Sequence, residues 1–223
     1  MDHATVADVV TAVHRRYDPA RAEAWDAVGL VCGDPAAPVR RVHLAVDPTE
    51  AVVHEALAAG ADLLLTHHPL LLRPVSSVAA TDPSGRVVHR LISGGCALLA
   101  AHTNADVALD GVSDALAETV GLVDLVPLVP PADGVTGLGR IGVVPGGTTL
   151  GGFASTVLGA LPSTAHGVRV AGDPAQPVHR VAVCGGSGSD ALAAASAAGV
   201  DVYLTADLKH HVALDHPAAG GPA

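Results

Sequence analysis

Aromatic side chains are nearly missing from this sequence: one Trp, one Phe and two Tyr make up 2% of its 223 residues. Its core must therefore be packed from Ala, Val and Leu, which fill space without fixing orientation as rings do. Cysteine is scarce as well. Cys32, Cys96 and Cys184 are scattered and form no CxxC, which excludes a disulfide framework and suits three small core residues in a reducing compartment. No run of 18 or more apolar residues is free of charge or Pro, so a helical membrane span is not expected. The opening Met1-Asp2-His3 lacks the basic residues and apolar run of a signal peptide, and the expected location is the cytoplasm. Positive charge is also in short supply, with 12 Lys and Arg against 22 Asp and Glu and a formal charge of −10. Nucleic-acid binding needs a basic face to neutralise phosphates, and none is visible. A polyphosphate substrate would be repelled unless a cation mediated.

Histidine, by contrast, is abundant at 13 residues, and almost half of the chain is apolar. Two segments align without a gap at an offset of 139 residues. Arg41-Val-His-Leu-Ala-Val, a helical stretch and Ala59-Gly-Ala-Asp62-Leu-Leu-Leu-Thr66 match Arg180-Val-Ala-Val-Cys-Gly, a helical stretch and Ala198-Gly-Val-Asp201-Val-Tyr-Leu-Thr205. Each reads as a βαβ unit with both strands buried. Pro48 with Thr49 or Asp47 opens the first helix, Ser189 or Asp190 caps the second, and Gly60 and Gly199 sit where the helices end. Helices are also expected over residues 5–16, 111–120 and 150–161, with strands over 97–101 and 140–144. A Pro/Gly-rich stretch, residues 127–139, separates residues 1–126 from residues 127–223. The expected fold is α/β: two related βαβ-containing halves with largely parallel sheets covered by helices.

Parallel sheets place binding sites at the carboxyl ends of their strands. After Leu65 comes Thr66-His67-His68-Pro69, where two adjacent imidazoles can converge only if the strand is ending. After Ala100 comes Ala101-His102-Thr-Asn-Ala-Asp106, which adds a carboxylate to balance the charge of a dication. His67, His68 and Asp106 are the candidate metal ligands, for Zn, Mn, Fe or Co, with His102 placed behind them or in a turn. After Val183, residues Gly185, Gly186, Ser187 and Gly188 form either an anion-binding loop or a tight turn that packs a helix close to the sheet. The spacing rules out a nucleophile elbow. Gly137-Leu-Gly139-Arg-Ile-Gly142 fits GxGxxG but begins an apolar strand instead of opening a helix, which argues against a dinucleotide site.

Four stretches carry a resemblance that extends through the chain: Trp25-Asp-Ala-Val-Gly-Leu30, Gly60-Ala-Asp-Leu-Leu-Leu-Thr-His-His-Pro69, Ala101-His-Thr-Asn-Ala-Asp106 and Asp201-Val-Tyr-Leu-Thr-Ala-Asp-Leu-Lys-His-His211. In their order and content they resemble the Nif-three-like dinuclear-metal proteins, called GTP cyclohydrolase type 2 homologues. The resemblance implies a Nif-three-like fold assembled as a homohexamer, and two metals per chain. It assigns His67 to one metal, and His68 with Asp106 to the other. It also implies a further His and a bridging Glu in a C-terminal motif, whereas this chain ends at Gly220-Gly-Pro-Ala223. The expectation for the chain as given is therefore one metal or none. The longer members' inserted domain is expected to be absent. The implied activity is that of a metal-dependent hydrolase acting on a small molecule; the alternative is a metal-binding or regulatory ring protein without turnover.

Overall fold

A computed structural model describes residues 3–131 and 136–223. The opening Met1-Asp2 and residues 132–135 of the Pro/Gly-rich stretch lie outside the described residues. The chain forms two compact units, residues 1–108 and 109–223. That boundary falls before the 126/127 division read from the sequence. The reason is packing: Ala117, Val120 and Leu122 join the core of the second unit, beside Val181 and Val183.

In the first unit, helix α1 (Val6–Arg16) is opened by a reciprocal cap between Thr5 and Asp8. Strands β1 (Gly29–Cys32), β2 (Val42–Ala45), β3 (Leu63–Thr66) and β4 (Ala97–Ala100) form one sheet in the order β1-β4-β3-β2. The β2–β3 and β3–β4 pairs are parallel, and β1 closes the edge antiparallel to β4. Helices α2 (Glu50–Ala58), capped by Thr49, and α3 (Pro83–Ser93), capped by Asp82, cover one face of this sheet. They bury Val53, Ala56, Val87 and Leu91 against Leu64 and Leu98. The opposite face carries Leu63, Ala97 and Leu99 against Val6 of α1. Alternate residues of β3 and β4 thus feed two cores, so these strands read as continuous apolar runs. The expectation that both strands of this βαβ unit are buried fails for β2, which lies at the sheet edge with Val42 and Leu44 exposed.

The second unit begins with α5 (Val112–Thr119), numbered after the short α4 (Thr103–Val107) of the first. Its sheet runs β5 (Val123–Val129), β6 (Leu138–Thr149), β7 (Pro177–Ser187), β8 (Val202–Ala206), in sequence order. Here the expectation of a largely parallel sheet needs correcting: only β7–β8 is parallel, and β5–β6 and β6–β7 are antiparallel. Residues 130–137 are too few for a crossover helix, so β6 must return beside β5 in the opposite sense. Helices α5 and α6 (Leu150–Ala160) cover one face, and α7 (Leu192–Ala197) covers the other. The cap expected at Ser189 or Asp190 does not form. A short 3-10 turn (Ser189–Ala191) precedes α7 instead. The GxGxxG glycines open β6, as the strand reading required.

The 139-residue repeat is structural down to single hydrogen bonds. Asp62 Oδ2 accepts from the backbone N–H groups of Arg40 (2.7 Å) and Arg41 (2.9 Å). Asp201 Oδ2 accepts from those of His179 (2.7 Å) and Arg180 (2.8 Å). The guanidinium of Arg41 donates to the carbonyl of Ala59, and that of Arg180 to Ala198. Strand registers follow: Val42 faces Leu63 as Val181 faces Val202. Each Asp thus ties the start of one parallel strand to the start of the next, and each Arg closes the helix end at Gly60 or Gly199, both at positive φ. Backbone hydrogen bonds to Asp62 hold its carboxyl below the usual range. A different tie organises the second unit, where buried Arg140 meets both oxygens of Asp114 and donates to the carbonyls of Gly137 and Gly139.

Asp62→Ala and Asp201→Ala should each destabilise the chain by about 1–2 kcal/mol, with Asn retaining about half of that, measured by urea unfolding. Asp114→Ala should cost about 3–5 kcal/mol, because it strands a buried guanidinium. A loss below about 1 kcal/mol at Asp114 would show that the pair contributes little.

Candidate metal centre

The first unit's polar strand ends meet. Strand β3 stops at Thr66, whose hydroxyl donates to the carbonyl of His68 at 2.9 Å and bends the chain there. The backbone N–H groups of His67 and His68 still reach β2, at Ala45 and Val46. This bend lets adjacent side chains come together, with ring centroids 5.1 Å apart. From the neighbouring strand, β4 delivers His102 at the N-terminus of α4, a five-residue helix not expected from the sequence. Its ring lies 5.1 Å from that of His67 and 5.5 Å from that of His68. One nitrogen from each of the three rings lies within 4.8 Å of the others. The cluster can hold a metal ion.

What each ring does with its other nitrogen decides the chemistry. His67 Nδ1 lies 3.0 Å from the carbonyl of Ala101, His68 Nδ1 2.7 Å from Asp47 Oδ1, and His102 Nδ1 2.8 Å from Asp26 Oδ1. All three partners are acceptors, so neutral rings carry their proton on Nδ1 and leave a lone pair on Nε2. That is the arrangement in which metal-binding imidazoles are oriented from behind.

Asp106 stands beside this group, Oδ1 3.6 Å from His67 Nε2. Burial pushes its carboxyl above the usual range, against the lowering pull of His67 and His102. Burial likewise pushes His67 below its ordinary value, with Asp106 pulling the other way. His67 is therefore favoured in the neutral form that a metal needs.

Sequence reasoning missed Asp26 and Asp47 as partners of the cluster. The side chain of Asp26 has no exposed surface. One oxygen meets His102 and the backbone N–H of Ala27, and the other accepts from the N–H and hydroxyl of Thr103. Burial raises its pKa, but these four bonds more than offset that and hold the carboxyl below its usual range. Asn104 completes the motif, accepting from the N–H of His102 and donating to the carbonyl of Tyr17 at the end of α1. The only early signal was that Asp26 falls inside one of the four resembling stretches.

The structure places the His102 ring beside those of His67 and His68. It supports the tight-turn reading of Gly185, Gly186, Ser187 and Gly188. Strand β7 runs on through Ser187, the N–H of Gly188 donates to Thr205 Oγ1, and its carbonyl accepts from the Tyr203 hydroxyl. The helices that follow span three and six residues, too short to gather much dipole.

Residues 4–221 match the family described as Duf34/NIF3 (NGG1p interacting factor 3). A Streptomyces coelicolor protein named "GTP cyclohydrolase 1 type 2 homolog" is 51% identical over 209 residues, covering 92% of this chain and 73% of the relative. A Mycobacterium tuberculosis protein of the same name is 37% identical over 319 positions, covering 95% and 83%. Since this chain has 223 residues, roughly a hundred of those positions have no counterpart in it. Among solved structures, a hypothetical protein of Staphylococcus aureus superposes with a TM-score of 0.89 at 31% identity, covering 98% of this chain and 84% of that one. A Bacillus cereus protein related to NIF3 gives 0.90 at 27% identity, covering 99% and 87%. Match along almost the whole sequence and likeness of the whole fold agree: the chain belongs to the Duf34/NIF3 family.

Proposed function

We propose that this chain is a metal-dependent hydrolase-like protein acting on a small molecule in the cytoplasm, with His67, His68 and His102 holding a single divalent ion of the Zn, Mn, Fe or Co type through Nε2. The observation that carries this reading is the engagement of all three Nδ1 atoms, which leaves a lone pair on each Nε2 in a cluster whose rings each bring one nitrogen within 4.8 Å of the others. Asp106, 3.6 Å from His67, adds the carboxylate that offsets the charge of the ion. A divalent ion in such a site supplies Lewis acidity and acidifies water. The protein's share is orientation: Asp26, Asp47 and the carbonyl of Ala101 fix the ring tautomers, and the half-buried setting limits competing water. The name carried by the relatives suggests GTP as the first substrate to try. The homohexamer belongs to the same proposal, to be checked by light scattering against six times the 22.1 kDa chain mass.

Untagged protein soaked in Zn and dialysed should retain about one ion by elemental analysis, and less than about 0.2 per chain would sink the proposal. Loss of His67, His68 or His102 to Ala should weaken Zn binding by comparable factors of more than 100. A His102 variant that binds as the wild type does would return that residue to a supporting role. Metal-loaded protein incubated with GTP and a panel of phosphoesters then separates the enzyme from the alternative, since retained metal with no product means binding without turnover.

Asp26→Asn presents the His102 ring with an uncharged partner and should lower Zn affinity by about 10–100-fold while the fold persists. Calorimetry with circular dichroism on the same sample checks both halves. Unchanged affinity would mean that Asp26 serves the backbone alone.

A further inference from the structure

The chain's one Trp is spent on the surface. Trp25 is 59% exposed, in a sequence whose core is starved of rings. An isolated exposed indole wastes the largest apolar side chain available, and such residues are enriched where something binds. Its position is not accidental: its ring lies 6.0 Å from that of His102 in an edge contact, with the planes at 76°. An edge contact engages one side of the pair and leaves indole surface open. Nor is its backbone loose. The N–H of Asp26 donates to the carbonyl of Glu23 (2.9 Å), the N–H of Glu23 donates to Thr103 Oγ1 (2.9 Å), and the N–H of Thr103 donates to Asp26 Oδ2 (3.0 Å). The turn bearing Trp25 is therefore fastened on both sides to the segment that carries His102.

We propose that Trp25 is a stacking platform for a planar heteroaromatic ring, so that the ligand class of this site is a ring-bearing molecule whose polar substituent reaches the histidine cluster. The proposal takes its location from the metal-centre reading and adds the recognition element. A rigid indole beside the cluster loses little conformational entropy on contact, and stacking tolerates many rings because each has a π-face. An aliphatic or purely phosphate ligand would gain nothing from it. Specificity among rings would come from their substituents, and Trp25 would set the class.

Because Trp25 is the only Trp, its emission reports on this residue alone. The 223-residue chain, zinc-loaded and zinc-free, would be titrated with two matched pairs: nicotinamide against piperidine-3-carboxamide, and guanosine against ribose. The aromatic member of a pair should quench emission saturably and the saturated member should not. By equilibrium dialysis, W25A should lose roughly ten- to hundredfold in affinity for the ring that binds, while W25F stays within about threefold. Zinc stoichiometry should be the same in wild type, W25A and W25F. Absence of zinc binding in the wild type defeats the metal centre, whereas ring quenching is read in both zinc states and stands or falls separately. Quenching by neither ring, or equal ring affinity in W25A, overturns the platform. So does emission that responds to protein dilution and not to rings, which would show a second copy covering Trp25. W25F guards against a folding defect in W25A, and melting curves of both would accompany the binding data.

Discussion

A fully buried carboxylate must satisfy both of its oxygens, and the way Asp26 does so organises the site. Removing an isolated carboxylate from water is prohibitively costly, so each lone pair needs a donor fixed in place. Here the donors are His102, Thr103 and the N–H of Ala27. Meeting that need fixes the tautomer of one imidazole, starts α4 and pins the turn that presents Trp25. Asn104 then ties the same segment to the end of α1. The chemistry at the strand end and the folding of the first unit thus share one constraint.

The two units show what the repeat keeps and what it frees. Kept are the Asp62 and Asp201 ties, the matching Arg contacts and the parallel register, all of which are backbone requirements of a βαβ unit. Beyond the strand end the copies differ. Thr66 is followed by His67 and His68, while Thr205 is followed by Ala206 and Asp207. Thr205 spends its hydroxyl on the residues 185–188 turn, where it meets both Gly186 and Gly188. One copy exposes imidazoles where the other closes a turn, so the candidate chemistry of one does not transfer to the other.

Features carried by neighbours in sequence were legible, and those carried by neighbours in space were not. The repeat, the cap at Thr49 and the strand end at Thr66 all leave local marks: a period, a Thr before an apolar stretch, a Pro after one. The antiparallel direction of β6 leaves almost none, because an apolar strand reads alike in either sense. The role of His102 turned on a partner 76 residues away, and that of His68 on Asp47, 21 residues away. The sequence around Asp47 marks it only as a residue that opens α2. An acidic residue supporting a distant imidazole has no periodicity of its own.

Each imidazole of the cluster has its own carboxylate: His67 with Asp106, His68 with Asp47, His102 with Asp26. With neutral rings, three ionised carboxylates would concentrate negative charge around a half-buried point. Two of them answer differently. Asp26, donated to from several sides, is held below the usual range, while Asp106, more buried in its surroundings than compensated, is pushed above it. The net charge of −10 adds little at this range, since salt screens charges beyond roughly 8 Å. The local set matters more. A dication at the three nitrogens would reverse the penalty on Asp106, because an opposite charge nearby favours the ionised carboxylate. The carboxylates that make the cluster electrostatically awkward without a cation are those whose charge a cation at the imidazoles would offset.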